Sequence, residues 1–599
     1  MGMNKKYWTG MEELENTSSF QESMSTEFAK SESVESFLGN DKLAESNTGR
    51  RDFLKFMGFS VAAATLAACE TPVIKSIPYV VKPEEITPGV ANYYASSFYD
   101  GNEYANLFVK TREGRPIFIK GNKEHGIGGG AVSSRINASV LGLYDSARIQ
   151  GPLKGGATTD WGTLDAEVSG ALASASSIRI LSNTIISPSA KRAIAEFSAK
   201  YTGKVQHIQW DSISYQGIRL AHKNVLGKDV IPAIDFSKAK TIVSVGADFL
   251  GTWMSSNLFQ GAYASTRRPE GEWMSKHYQF EATMSLTGSN ADVRIPIKPS
   301  QEGAVVAALY NAIKGGNAEV AGVDSARIAR IAEELKANAG ESIVVAGSNN
   351  VDVQSIVCAI NNELRNYGST LNADKPVNFY QGDDAAMDRL VAEMNNGQVG
   401  ALIVYGTNPG YSYADAAGFK AAMGKVSTVI SFNGFADETS AKSTYNAPDH
   451  HYLESWNDLE PMAGRIDFVQ PTITPLYNTR SAQESFLRWS GNSTTYYDYI
   501  KGTHAGLSSD LFNMSIHNGT THNVALPVAE NAPVVVPIAA ASPAEGDVAP
   551  VVAAAAIAAP VIAAAPVTYN LASALANASS MATGEWEVSL YQKVTIGAG

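Results

Sequence analysis

Six short β-branched runs recur through the middle of the chain, and stretches of helical pattern separate them. They are Ile178-Arg179-Ile180-Leu181, Gln206-His207-Ile208-Gln209-Trp210 and Thr241-Ile242-Val243-Ser244-Val245, then Ser342-Ile343-Val344-Val345-Ala346, Ala401-Leu402-Ile403-Val404-Tyr405 and Ser427-Thr428-Val429-Ile430-Ser431. Runs this apolar have no polar face to offer water, so they suit strands buried on both sides of a parallel sheet. Residues 190–200 and 326–339 are helix candidates between them. Parallel neighbours need a crossover connection, and strand–helix alternation supplies it. The expectation is an α/β fold of several domains with Rossmann-like parallel sheets.

The chain has 599 residues, enough for about three to five domains. A polar leader is expected over 1–48 and an export signal over 49–69. A β-rich subdomain covers 70–155, where runs at 106–111 and 115–120 flank Glu113-Gly114 as a hairpin would. One α/β domain is assigned to 156–340 and a second to 341–500. Residues 501–531 read as loop. Over 532–567, 15 of 36 residues are Ala and six are Pro, which suits an extended arm; together they make a loop-and-arm segment over 501–568. Residues 569–599 read as the start of a truncated C-terminal β domain, because Gly584-Glu585-Trp586-Glu587-Val588-Ser589-Leu590-Tyr591 resumes a strand pattern.

Charge and cysteine content exclude several functions. Lys and Arg number 47 against 59 Asp and Glu, a net charge of −12, which argues against a nucleic-acid binder. Two cysteines, Cys69 and Cys358, cannot build an all-cysteine iron–sulfur cluster or a four-cysteine zinc site. Cys358 lies in an apolar helical run and reads as an inert core thiol.

The first 48 residues suit a disordered leader or a docking segment that orders on a partner, with Lys5-Lys6-Tyr7-Trp8 as its aromatic patch. Arg50-Arg51 then precede a short Ala-rich apolar run, too short to span a bilayer. That pattern resembles a twin-arginine export signal, although Gly49 stands where Ser or Thr is usual. The run ends in Leu66-Ala67-Ala68-Cys69, which resembles a lipobox with Cys69 as the acylated residue; a plain buried cysteine is the alternative.

Ligands of doubly wound folds bind beyond the carboxyl ends of the strands. Three such ends stand out: Gly246-Ala247-Asp248, Gly347-Ser348-Asn349 and Gly406-Thr407-Asn408-Pro409-Gly410. None carries Gly-x-Gly-x-x-Gly, and Gly126-Ile127-Gly128-Gly129-Gly130 lacks the Lys-Ser/Thr of a phosphate loop and reads as a flexible loop. His450 and Glu454 stand one helical turn apart, with His451 between them, but no third metal ligand is near and the zincin pattern is absent. Tyr411, Tyr413, Tyr452, Trp456 and Tyr477 crowd one stretch and suit either a partner interface or a domain seam.

Several stretches together carry a family resemblance: Lys5-Lys6-Tyr7-Trp8, Arg50-Arg51-Asp52-Phe53-Leu54-Lys55, Arg112-Glu113-Gly114-Arg115-Pro116, Tyr405-Gly406-Thr407-Asn408-Pro409 and Asp437-Glu438-Thr439. The most distinctive are His450-His451-Tyr452-Leu453-Glu454-Ser455-Trp456 and Gln470-Pro471-Thr472-Ile473-Thr474-Pro475-Leu476. Through most of 1–500, and again at 584–599, the chain resembles the N-terminal part of one component of bacterial alternative complex III. That component is the molybdopterin-oxidoreductase-like protein with a variant twin-arginine signal.

The resemblance implies a molybdopterin-oxidoreductase-like multidomain fold. It also implies a place in a membrane quinol oxidase of a respiratory chain, which passes electrons to a cytochrome c or directly to a terminal oxidase. The expected partners are integral quinol-binding subunits, multihaem cytochrome c subunits and a terminal oxidase. Haem c would sit in those partners, and iron–sulfur clusters in a ferredoxin-like C-terminal part missing from this chain. The location would be the periplasmic face of the bacterial inner membrane, through a lipid anchor. Active relatives often carry a Cys-x-x-Cys-type cluster motif near the N-terminus; the matching Ser96-Ser97-Phe98-Tyr99-Asp100-Gly101 has none. No motif places a metal ligand.

The expectation is thus a non-catalytic scaffold with no cofactor or metal of its own, which docks the iron–sulfur and haem subunits. Gly246, Asp248, Gly406, Asn408 and Asp449 are candidates for a vestigial cofactor pocket. The alternative is an active molybdopterin-dependent oxidoreductase subunit, and a weaker third reading is a periplasmic binding protein.

Overall fold

The computed structural model describes residues 89–522, 569–580 and 585–594. The expected leader, Arg50, Arg51, Cys69 and the 532–567 arm lie outside the described residues. Among the described residues no helix is long and apolar enough to cross a membrane.

All six apolar runs form strands, but they are shared between two sheets. One is seven-stranded, in the order Ala157–Thr158, Leu153–Lys154, Tyr445–Asn446, Thr428–Ser431, Ala401–Tyr405, Ile178–Ser182, Val205–Gln209. Its last five strands are parallel. The other is four-stranded and wholly parallel, in the order Val293–Pro296, Lys276–Glu281, Thr241–Val245, Ser342–Ala346. The fold is α/β with doubly wound parallel sheets, as the alternation requires.

The pairing cuts across the boundary expected at 340/341. Ser342–Ala346 adds to Thr241–Val245, in register from Ser342–Thr241 to Ala346–Val245, while Ile178–Ser182 pairs with Ala401–Tyr405. The four-stranded sheet is thus built from an excursion out of the seven-stranded one. Local periodicity marks a strand but not its neighbour, and so places no such boundary. Lys276–Glu281 and Val293–Pro296 escape the pattern because Lys276, His277, Gln279 and Glu281 interrupt the apolar run.

Both sheets are covered on both faces. Val243, Val245, Phe280 and Val344 pack under helices Glu302–Ile313, Ser325–Ala337 and Val351–Glu363. The opposite face meets an aromatic cluster with Phe236 stacked on Phe249 at 4.3 Å. Residues 92–121 form an antiparallel three-stranded sheet in sequence order. Its hairpin turns through Glu113 and Gly114, at φ 52° and 74°; such hairpin turns need positive φ at both central residues.

Three other expectations are corrected. Residues 501–531 do not begin as loop: Tyr496–Thr503 and Ser509–Asn518 are helices, the second capped by Ser508 and closed by Gly519 in the left-handed conformation. Their polar composition hides short amphipathic faces that bury Tyr499, Ile500 and Phe512. The Gly126–Gly130 segment is a compact turn whose Gly128 abuts Leu258. Past the arm, Leu571–Ser579 is a helix that buries Ala574 and Ala578 against Glu302–Ile313 and Val351–Glu363. Residues 585–594 form no strand, and 588–594 run instead along the wall of a cleft.

One buried ion pair ties the N-terminal sheet region to the body. Arg148, just past helix Ser134–Leu143, makes a two-pronged contact with Glu454 at 2.6 and 3.1 Å, and both side chains are almost wholly buried. Glu454 also accepts from the backbone N–H of His451 and Leu476 at 2.9 Å each. Burial pushes this carboxyl up, but Arg148 and those N–H groups outweigh it and hold it below its ordinary value. Removing one partner strands the other charge. Arg148→Ala should therefore lower stability by about 3–5 kcal/mol, and Arg148→Met with Glu454→Leu should recover much of the loss. Urea unfolding followed by circular dichroism reads both.

Candidate functional site

Each parallel sheet ends in its own cleft. The first, of about 240 Å³, opens where Ile178–Ser182 and Ala401–Tyr405 finish. Asn183, Tyr405, Gly406, Asp449, His450 and Trp456 are among its walls. Gly406 turns the chain at φ 64°, and a Cβ there would lie 2.9 Å from Asn183 Oδ1. Asp449 Oδ1 accepts the backbone N–H of Ala482 at 3.0 Å, at the start of helix Ala482–Ser490. Burial pushes the Asp449 carboxyl up to about 7. Gln483 Nε2 donates to Tyr405 Oη at 2.8 Å, and burial drives this phenol far above its ordinary value. His450 Nδ1 lies 2.7 Å from Thr479 Oγ1, and burial lowers its basicity.

The second cleft, of about 980 Å³, lies beyond Thr241–Val245 and Ser342–Ala346. Gly246, Asp248, Glu281, Glu302 and Trp253 line it, and residues 588–594 run along its wall. Gly246, at φ 67°, sits against Glu302, whose Oε1 would be 2.5 Å from a Cβ there. Burial pushes Glu302 up to about 7. Asp248 Oδ1 accepts from Thr287 N and Oγ1 at 3.0 and 2.7 Å, and so ties down the following loop. Glu281 pairs with Arg294 at 2.6 Å.

The five pocket candidates therefore divide. Gly246 and Asp248 line the large cleft, and Gly406 and Asp449 the small one. Asn408 lines neither. Its Nδ2 donates to Glu438 Oε2 at 2.8 Å, and its Oδ1 accepts from Thr439 Oγ1 at 2.7 Å, a brace between two loops. Sequence reasoning misses Asn183, Glu302 and Trp253. Asn183 follows strand Ile178–Ser182 directly, so the strand-end rule applied to that run would have found it. Glu302 and Trp253 reach their cleft from elements that only tertiary packing brings there.

His450, His451 and Glu454 do not converge as metal ligands. Glu454 is held by Arg148, and His451 Nδ1 accepts from Leu453 N. Among the described residues no group of three His, Cys, Asp or Glu side chains could hold a metal ion. Tyr452 and Trp456 line the small cleft, Tyr413 donates to Asp388 Oδ1 at 2.6 Å, and Arg148 lies over the Tyr477 ring. Tyr411 is exposed.

The side chains of both clefts offer a pterin dinucleotide little positive charge. Its diphosphate arms call for cations or converging N–H donors. The small cleft carries Asp100 and Asp449 without a Lys or Arg, and is smaller than the roughly 300–1,000 Å³ of ordinary ligand pockets. The large cleft sets Lys593 against Asp248, Glu281 and Glu302. Cys358, the one cysteine among the described residues, lines neither cleft and contacts Tyr367 Oη at 3.3 Å.

No family model matches the chain. It is 23% identical over 559 residues to the menaquinone reductase, molybdopterin-binding-like subunit, of Nitratidesulfovibrio vulgaris (strain Hildenborough), covering 80% of this chain and 78% of the relative. Its backbone superposes on acetylene hydratase from Pelobacter acetylenicus with a TM-score of 0.53 at 12% identity, over 70% of this chain and 73% of the other. The fold is molybdopterin-oxidoreductase-like.

Two outcomes check these assignments. Asp449 has a raised folded pKa, so its folded carboxyl keeps a proton that the unfolded one loses. Its contribution to stability is full below the ordinary carboxylate range and is lost as pH rises through about 7. Asp449→Asn should therefore gain on the parent protein between about pH 5 and about pH 8 in urea unfolding. Burial pushes the Cys358 thiol up to about 11. Peptide mass mapping after iodoacetamide treatment should show Cys358 unlabelled in the native protein and labelled in denaturant.

Proposed function

We propose that this chain is the scaffold part of a membrane-associated quinol:electron acceptor oxidoreductase of a respiratory chain, and that it does no redox chemistry of its own. The observation that carries this reading is the acidic lining of both strand-end clefts, where folds of this kind bind their ligands. Two of those acids, Asp449 and Glu302, are protonated over part of the neutral range through burial, which suits interior packing better than the binding of an anionic cofactor. The similarity to a menaquinone reductase subunit supports the link to quinone chemistry.

More finely, the chain is proposed to act as the molybdopterin-oxidoreductase-like component of alternative complex III does. It would dock iron–sulfur and haem-bearing parts at the periplasmic face of the inner membrane, beside integral quinol-binding subunits. The motifs at Arg50-Arg51 and Leu66-Ala67-Ala68-Cys69 support export and lipid anchoring. The cofactors of electron transfer belong, in this reading, to partner subunits.

The test is elemental and pterin analysis of the assembly purified from membranes, together with its quinol-dependent electron transfer. The expected result is iron in excess, no molybdenum, tungsten or pterin, and turnover unchanged by Asp449→Asn. Stoichiometric molybdenum or tungsten with pterin would sink the scaffold reading and favour an active molybdopterin-dependent subunit.

A further inference from the structure

We propose that the tip of the antiparallel three-stranded sheet is a membrane-surface patch that lies on anionic lipid headgroups. Among the described residues, apolar side chains gather there exposed to solvent. Val90 and Tyr93 are each 57% exposed, Phe118 46%, Ile117 47%, Leu141 69% and Tyr144 43%. Single exposed apolar residues are ordinary, but a joined group marks an interaction surface.

Register and hydrogen bonds set these around the tip from both sides of the sheet. Tyr93 stands opposite Lys110, and Lys110 opposite Phe118, so the three share one face of the sheet. Tyr144 Oη donates to the Pro116 carbonyl at 2.8 Å, which sets the end of helix Ser134–Leu143 beside Ile117. Leu141 precedes Tyr144 by three residues and shares its side of the helix. Arg112 Nη2 donates to the Gly89 carbonyl at 2.7 Å, next to Val90.

Charge selects the occupant. The chain carries a net −12, yet Arg112, Arg115 and Lys120 are exposed here around Lys110. Arg112 and Arg115 stand directly opposite each other across the hairpin with Glu113 at the turn between them, so with Lys110 and Lys120 the tip stays net positive, which favours an anion against it. Exposed Tyr and Phe ringed by Lys and Arg is the composition of a membrane–water interface, where rings sit at headgroup level and cations reach the phosphates. A protein interface is depleted in lysine.

The test uses the full chain carrying Cys69→Ser, which cannot be acylated, in cosedimentation with phosphatidylethanolamine–phosphatidylglycerol vesicles and with phosphatidylcholine vesicles. The expected result is binding to the anionic vesicles alone, released by salt. Arg112→Glu with Arg115→Glu should weaken it at least about tenfold, with the circular dichroism spectrum unchanged. Ile117→Ser with Phe118→Ser should weaken it as well. Binding that ignores lipid charge, or that survives the charge reversal, overturns the proposal. So does a failure to bind vesicles while the same substitutions weaken assembly with partner subunits, which would make the patch a protein contact. Mass spectrometry of Cys69 in the native protein reads the anchor separately; an unmodified thiol there removes the anchor and leaves the vesicle result standing.

Discussion

Strand Ala401–Tyr405 lies parallel to Ile178–Ser182, although the entire four-stranded sheet is made in the chain between them. Parallel neighbours cannot be joined by a tight turn, and closing so long a stretch costs entropy before any contact rewards it. What offsets that cost is the near-complete burial of Leu402, Ile403, Val404, Ile178, Ile180 and Leu181 between two helical layers. The chain from about 183 to 400 is thereby held at both ends, and the second sheet lies within it, with Ser342–Ala346 beside Thr241–Val245. Both clefts follow from this, because each opens where neighbouring parallel strands end together.

The fold thus offers the places where ligands sit, and the side chains decide what can sit there. At both ends the decisive groups are carboxyls rather than cations. Asp449 meets the backbone N–H groups of Ala482 and His450 and is otherwise desolvated; Glu302 is raised by burial alone. Groups in that state hold protons near neutrality instead of attracting phosphate. Asp248 and Asn408, placed at strand ends where a ligand could meet them, are engaged in bracing neighbouring loops. A scaffold role needs a rigid body with surfaces to present, and such bracing supplies rigidity.

The exposed aromatic and basic tip around Phe118 and Arg115 differs in charge from the acidic chain as a whole and lies away from both clefts. The Arg148–Glu454 pair fixes the helix behind that tip to the His450–Glu454 segment, so the tip is presented by a braced element.

The strands were legible in the sequence because burial on both faces leaves a run of β-branched residues that nothing else explains. The hairpin at Glu113-Gly114 was legible because few residue pairs accept positive φ at two successive positions. Gly246, Asp248 and Gly406 could be picked out because they stand at strand ends, whereas Asp449 came only with the family resemblance. Strand Lys276–Glu281 was not legible, since its polar side chains interrupt the apolar run; His277, Gln279 and Glu281 are buried while bonding to one another along the strand and to Ser285. The helices at Tyr496–Thr503 and Ser509–Asn518 were hidden by composition, and the helix Leu571–Ser579 takes its place only against Gly303 and its neighbours. The sequence by itself determined which segments must be buried and where the chain can turn, because those depend on side-chain chemistry and local backbone freedom. Only the tertiary structure decided which strands are neighbours, which carboxyls lose their water and which arginine meets Glu454, because each depends on residues brought together from distant parts of the chain.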